Sequence, residues 1–305
     1  MNDQYFKYKD LLKPPIRRAA YSDRTAWLMA EMSQLAYLKF EDNPSELQTA
    51  LAEADFQIVG QPFNRLGTQA FLARRDSDKM AVLSFRGTQL EGLTLETLLD
   101  VCADLYATFQ TDEKGVKTHN GFRCAFQKIE TKVMTSLEGL KDYAIYITGH
   151  SLGGALALVA TQAINSDNLA ACYTFGSPKV GNEEFDDAIK VPIYRIVNAY
   201  DMVPLLPFTW ILKPIIWLVD KKVSREKIKL FLKDFQKYRH HGDQRFLTNA
   251  PESESKVLTE YSELFRSLQL LRESFVTSKD IGVQHHDLKQ YRNKLAQWAL
   301  KRANA

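Results

Sequence analysis

Cysteine is scarce in this chain. Its three residues, Cys102, Cys124 and Cys172, are an odd set with no CxxC pair and no Cys/His spacing, which excludes a disulfide-built scaffold and offers no metal site. They fit unbridged structural thiols in a reducing compartment, and no cofactor is implied. An excess of one charge is also lacking. Forty Lys and Arg against 37 Asp and Glu leave a formal net charge of +3, which gives no argument for nucleic-acid binding. The segment Met1 to Arg18 mixes lysines and aspartates with Pro14-Pro15 and has no apolar core of a leader, so no cleavable secretory signal is expected. The expected location is therefore cytoplasmic or peripheral to a membrane, with export by a signal-independent route as the exception. Internal repeats and low-complexity tracts are absent as well.

What is present is enough apolar material, 45% of 305 residues, to fill a large core. One domain over residues 1–305 is expected. Leu28, Met32 and Leu35 recur at helical spacing in Ala26 to Tyr37, and Glu46 to Glu53 reads as a second short helix. The period then changes to short β-rich runs, Phe56 to Val59, Gln69 to Ala73 and Met80 to Phe85, that suggest a meander. A helix from His119 to Leu137, strands at Ala170 to Phe175 and Ile193 to Val197, and a last helix from Leu288 to Lys301 complete the pattern. Strands alternating with helices after about residue 120 predict an α/β fold, with a mostly parallel central sheet and helices on both faces.

Pro207 to Arg239 interrupts this pattern. Pro207 to Val219 is almost wholly apolar and carries Trp210 and Trp217, but at about 1.5 Å per residue it falls short of the roughly 20 residues a spanning helix needs. Lys221, Lys222, Arg225 and further lysines follow, with Ile228, Phe231, Leu232 and Phe235 at helical spacing. The segment reads as an inserted apolar and basic helical element over 207–239, either an interfacial membrane-docking element or a cap over the protein's own site.

Chemistry concentrates at residues 144 to 154. The apolar run Ala144 to Ile147 leads into Gly149-His150-Ser151-Leu152-Gly153 and then the helix-forming Ala155 to Ile164. Strand, sharp turn and helix in that order form a nucleophile elbow, where glycines avoid a clash and Ser151 is lifted above the sheet edge. An ordinary strand-to-helix turn with a serine N-cap is the plainer reading. A serine hydroxyl needs an imidazole base and a carboxylate to orient it. Asp201, on a loop after the strand Ile193 to Val197, meets the second need at the sheet edge where α/β proteins bind ligands. Among six histidines, His119 is out of order and His150 should point away from Ser151. The pairs His240-His241 and His285-His286 remain, and the later pair fits the chain order better without distinguishing its two members. The Leu152 amide supplies one oxyanion donor, and Thr88, at the end of Ser84-Phe85-Arg86-Gly87-Thr88, can supply another.

Together, Phe85-Arg86-Gly87-Thr88, His119-Asn120-Gly121-Phe122, Gly149-His150-Ser151-Leu152-Gly153-Gly154, Phe175-Gly176-Ser177-Pro178 with Val180-Gly181-Asn182, and Asp201-Met202-Val203-Pro204 resemble the class 3, or fungal-type, lipase family. The resemblance spans about residues 24 to 295. It implies an α/β-hydrolase fold, Ser151 as nucleophile, Asp201 as acid and, from the match of His286 to Tyr291 with the family's terminal histidine-tyrosine motif, His286 as base. It also implies an oxyanion hole from Thr88 and the Leu152 amide, and it sets His241-Gly242 apart as a separate motif. The chain departs from the family in having no tryptophan within Gln89 to Leu105 and a longer link from Leu205 to His240. The expected function is a serine carboxylester hydrolase, of lipase or phospholipase type, acting on a lipid ester with peripheral contact to a lipid surface. A membrane-associating protein with a vestigial site is the alternative.

Overall fold

The structure, a computed structural model, describes residues 4–13, 19–87, 109–111, 117–164, 166–206, 238–276 and 281–303. Trp210, Trp217, Lys221 and Lys222 lie outside these residues, as does nearly all of the inserted element. Helix α1 (Asp23–Leu35) starts at Ser22, whose Oγ accepts the Thr25 amide at 3.4 Å, and Asp23 in the first turn complements the helix dipole. Ten of its residues, Glu31 and Ser33 among them, are buried, so it is packed on more than its apolar face. Helix α2 (Ser45–Ala52) leads into β1 (Gln57–Ile58), β2 (Phe63–Arg65), β3 (Thr68–Arg75) and β4 (Met80–Phe85), which pair antiparallel as the expected meander.

After β4 come the small pair β5 (Phe109–Thr111) and β6 (Lys117–His119), α3 (Asn120–Glu138), β7 (Ala144–His150), α4 (Leu152–Ile164), β8 (Leu169–Phe175), α5 (Glu183–Asp187), β9 (Ile193–Asn198), β10 (Asp243–Leu247) and β11 (Val257–Leu258). Three helices close the chain: α6 (Glu263–Val276), α7 (Ile281–Gln284) and α8 (Leu288–Ala303). Among the described residues the main sheet has nine strands, ordered β1-β3-β4-β7-β8-β9-β10-β11 with β2 beside β3. The segment from β4 through β10 is parallel.

Side-chain alternation along each strand separates two cores. Ala81, Leu83, Ile145 and Ile147 face α3 and α4, where Phe122, Phe126, Ile129 and Val133 of α3 and Ala155 and Val159 of α4 pack. Met80, Val82, Tyr146 and Tyr173 face the other way, toward Trp27, Leu28 and Met32 of α1 and Leu295 and Ala299 of α8. Each fully buried apolar side chain contributes about 1.5–3 kcal/mol. Helices on both faces of a mostly parallel sheet are what the strand and helix alternation predicts. The expected elements are present with boundaries shifted by a few residues, while β2, β5, β6, β10, β11, α5, α6 and α7 were not expected. On α6 the exposed side chains include Leu264, Phe265, Leu268 and Val276 while Arg266 is buried, the reverse of the pattern that apolar periodicity reads.

Two buried charges join α1 to α8. Glu31 accepts Arg292 Nε at 3.1 Å and Nη2 at 2.8 Å, and also the Phe6 amide at 3.1 Å. Removing one member of such a pair strands the other in a dry site. Glu31→Gln is therefore expected to lower unfolding stability by about 3–5 kcal/mol, read as a fall in the urea midpoint; an unchanged midpoint would show that the pair does not hold α8 in place.

Candidate active site

Ser151 sits between β7 and α4 with φ +57°, a left-handed conformation that costs a non-glycine residue about 1–3 kcal/mol. Its surroundings enforce that geometry. The Ser151 amide donates to the Phe175 carbonyl of β8 at 2.9 Å, and the Ser151 carbonyl accepts the Gly154 amide at 2.9 Å. The flanking glycines are required sterically: a Cβ on Gly149 would lie 2.2 Å from the Gly153 carbonyl oxygen, and one on Gly153 would lie 2.4 Å from that of Phe85. The elbow is thus wedged between β4 and β8. Leu152 opens α4, so its amide is one of the helix's first donors, which have no intrahelical acceptor.

At the end of β9 the chain turns through Ala199 and brings Asp201 into a fully buried position. Its carboxylate accepts from His286 Nδ1 at 2.9 and 3.0 Å, from the Val203 amide at 2.9 Å and from the Tyr291 hydroxyl at 2.5 Å. A buried carboxylate needs such a full set of donors. Tyr291 is itself held by the Asn198 amide, which donates to its oxygen at 3.0 Å; burial and the neighbouring Asp201 charge keep its hydroxyl protonated, with a pKa well above the ordinary value. Gly176, at φ +55°, passes so close that a Cβ there would lie 2.5 Å from Asp201 Oδ2 and 2.9 Å from His286 Nδ1. Because Gly176 directly follows Phe175, the residue that binds the Ser151 amide, it brings the acid–imidazole pair to the elbow. His286 Nε2 is buried and has no hydrogen-bond partner among the described residues.

His150 does not simply turn away from the site. Its ring stacks on that of His286, with centroids 4.4 Å apart and planes 30° apart. Its Nε2 donates to the His286 carbonyl at 2.8 Å, which leaves Nδ1 to accept from the Tyr37 hydroxyl at 2.9 Å. This pattern requires a neutral ring, and burial first, then repulsion from His286, push its pKa well below the usual range. Gly87 lies against the same group: a Cβ there would lie 2.4 Å from the Tyr37 hydroxyl and 3.4 Å from Ser151 Cβ. Arg86 latches the end of β4 to the loop after α1, donating to the Ala36 carbonyl at 2.5 Å, to Glu41 Oε2 at 3.1 Å and also to the Leu38 carbonyl. The end of β4 therefore runs beside Ser151. Thr88 follows directly and lies outside the described residues.

The other histidines are placed elsewhere. His285 meets Tyr200 edge-on at 5.3 Å, and burial, then Lys294, lower its pKa to about 4. His240 bonds the Pro204 carbonyl at 2.5 Å, and His241 packs on Phe185 at 5.1 Å. The structure thus separates His286 from His285, which residue order alone does not. Three parts of the site carried no role in the sequence reading: Gly176, Tyr291 and the stacking of His150. Each lies inside a motif that does stand out in the sequence, which is the signal that marks it.

Residues 82–210 match the family model described as lipase (class 3). A lipase of Rhizomucor miehei is 35% identical over 158 residues, covering 46% of this chain and 41% of that protein. A secreted mono- and diacylglycerol lipase of Fusarium solani is 30% identical over 160 residues, covering 49% and 45%. The chain thus spans about half the length of the curated relatives it matches. A solved Rhizomucor miehei triacylglyceride lipase superposes with a TM-score of 0.59 at 23% identity, covering 82% of this chain and 91% of that one; the shared architecture is the α/β-hydrolase fold. The expected cytoplasmic or peripheral-membrane location is overturned by the relatives, since the Fusarium protein is a secreted lipase. Scarce cysteine is no guide to compartment in a chain whose two large apolar cores make disulfides unnecessary. Family model, related sequences and fold agree in what the chain is similar to: over residues 82–210 it resembles the class 3 lipases.

Proposed function

We propose that this chain is a serine carboxylester hydrolase of the lipase type that cleaves acyl esters of lipids through Ser151, His286 and Asp201. The observation that carries the reading is His286, held through Nδ1 by a buried carboxylate while its buried Nε2 has no partner among the described residues. In the reaction, Ser151 Oγ adds to the ester carbonyl and its proton passes to His286 Nε2. Asp201 stabilises the imidazolium. The Leu152 amide, with Thr88 as second donor, binds the oxyanion. Collapse of this intermediate breaks the bond to the alcohol oxygen, which takes the proton from His286, and water then releases the acyl group from Ser151 by the same steps in reverse. A neutral His150 suits this cycle, because a charged ring stacked on His286 would oppose the imidazolium.

The substrate reading rests on the relatives, which include a mono- and diacylglycerol lipase and a triacylglyceride lipase. An acylglycerol outside the cell is the substrate class proposed here. Packing of α8 at the chain's end against α1 at its beginning supports the proposal of one catalytic domain over 1–305. Contact with a lipid surface through 207–239 is supported by the apolar and basic pattern of that segment, with Trp210, Trp217, Lys221 and Lys222 as its first contacts. Nothing among the described residues favours the alternative of a vestigial site.

Ser151→Ala is expected to lower hydrolysis of a short p-nitrophenyl ester by about four orders of magnitude or more while leaving the circular dichroism spectrum unchanged; undiminished turnover would contradict the assignment. Tyr291→Phe removes a donor to the ionised Asp201. The carboxylate is then held less firmly against His286, and kcat/KM for the same ester is expected to fall about tenfold. An undiminished kcat/KM in this variant would remove Tyr291 from the account.

A further inference from the structure

A second group of charges lies near Asp201 and has no part in the ester chemistry. Arg266 on the buried face of α6 is 2% exposed, and neither its Nε nor its Nη1 has a hydrogen-bond partner among the described residues. The Nε of Arg195, on β9, has none among them either. Lys179, in the loop after β8, is bonded to Glu263 Oε1 at 2.7 Å, and Glu263 stands one turn before Arg266 on α6. His240 marks where the cations converge. Burial first, then Arg195, Lys179 and Arg266, push its pKa well below the usual range. The same spot joins the two ends of the inserted segment. Lys179 donates its amide to the Leu206 carbonyl at 2.9 Å, His240 holds the Pro204 carbonyl, and the Arg239 amide bonds the Gly181 carbonyl at 3.0 Å.

The balance of charge is incomplete. Among the described residues three cations share two carboxylates, and Asp201 is already occupied by His286, Val203 and Tyr291. Glu263 is bonded to Lys179 and leaves Arg195 and Arg266 with three unpartnered donor nitrogens. Mutual repulsion and burial lower the pKa of Arg195 to about 10, burial being the larger cause. A buried guanidinium without an acceptor is costly, and an anion that supplied acceptors would remove the cost.

We propose that Lys179, Arg195 and Arg266 form a binding site for a phosphate-class oxyanion, separate from the ester-cleaving triad. Guanidinium groups match phosphoryl oxygens in both charge and direction, and a tetrahedral oxyanion presents an oxygen to each unpartnered donor. Arg195 is partly exposed and the Glu263 side chain is 38% exposed, so the group is open to solvent on that side. Free phosphate and the headgroup of a phospholipid offer the same chemistry. The headgroup source rests on the lipid-ester reading above; the free-ion source does not.

The test uses the full chain carrying Ser151→Ala, so that no lipid is consumed. Thermal unfolding is followed against sodium phosphate, with sodium chloride at matched ionic strength and sodium acetate as controls. Phosphate is expected to raise Tm saturably by about 2–4 °C, and Arg266→Gln or the more exposed Arg195→Gln is expected to abolish the rise. A rise no larger than with chloride would overturn the site. An equal rise with acetate would overturn the phosphate class. A full rise in a folded variant would overturn the residues named, and if Arg266→Gln does not fold, Arg195→Gln decides. Adding a short-chain phosphatidylcholine below its micelle concentration separates the sources: competition with phosphate supports a headgroup site, and no competition supports a free-ion site.

Discussion

A carboxylate that is fully out of water can remain charged only if donors surround it, and the C-terminal third of this protein is organised around that requirement at Asp201. Three separate parts of the chain meet it: the Val203 amide from the turn itself, His286 from the loop after α7, and Tyr291 from α8. Asn198 holds the same three parts together through its amide to Tyr291 and its side chain to the His285 carbonyl at 2.9 Å. Tyr291 in turn depends on α8, which Glu31 of α1 fixes through Arg292. The acid end of the site is therefore continuous with the packing of the first helix against the last.

The nucleophile end depends on a different constraint, the lack of space. Ser151 holds a left-handed backbone because β4 and β8 close on it from both sides, with Gly149 and Gly153 making that approach tolerable. His150 connects the two ends. As a neutral ring it lies under the imidazole of His286 and receives the Tyr37 hydroxyl, so the loop after α1 is coupled to the orientation of the base. Hydrogen bonding to Asp201, stacking on His150 and the close passage of Gly176 together fix the orientation of the His286 imidazole.

Much of this was legible in the amino-acid sequence, and unevenly. The elbow could be read because its chemistry is local: five consecutive residues carry the turn, the glycines and the serine. Strands such as Met80 to Phe85 could be read because a strand buried on both sides is a short, nearly continuous apolar run between polar punctuation. Asp201 was found from the strand that precedes it. Distinguishing His286 from His285 required either the family resemblance or the structure, since adjacent residues share every sequence feature and differ only in which ring meets Asp201. Tyr291 and Gly176 act through contacts with residues tens of positions away, which no local pattern encodes. Helix α6 ran against the usual rule by burying Arg266 and exposing Leu264 and Phe265, and the cationic group it completes is invisible to net charge because it joins residues from three separate segments.

The central claim is that His286, charged by proton transfer and held by Asp201, makes Ser151 a nucleophile. Reaction with a fluorophosphonate tests it directly, because the phosphonyl group transfers only to an activated hydroxyl. Peptide mass spectrometry should find one adduct, on the peptide containing Ser151, and no adduct in His286→Ala. Labelling of another residue, no labelling of the wild-type chain, or equal labelling without His286 would contradict the account.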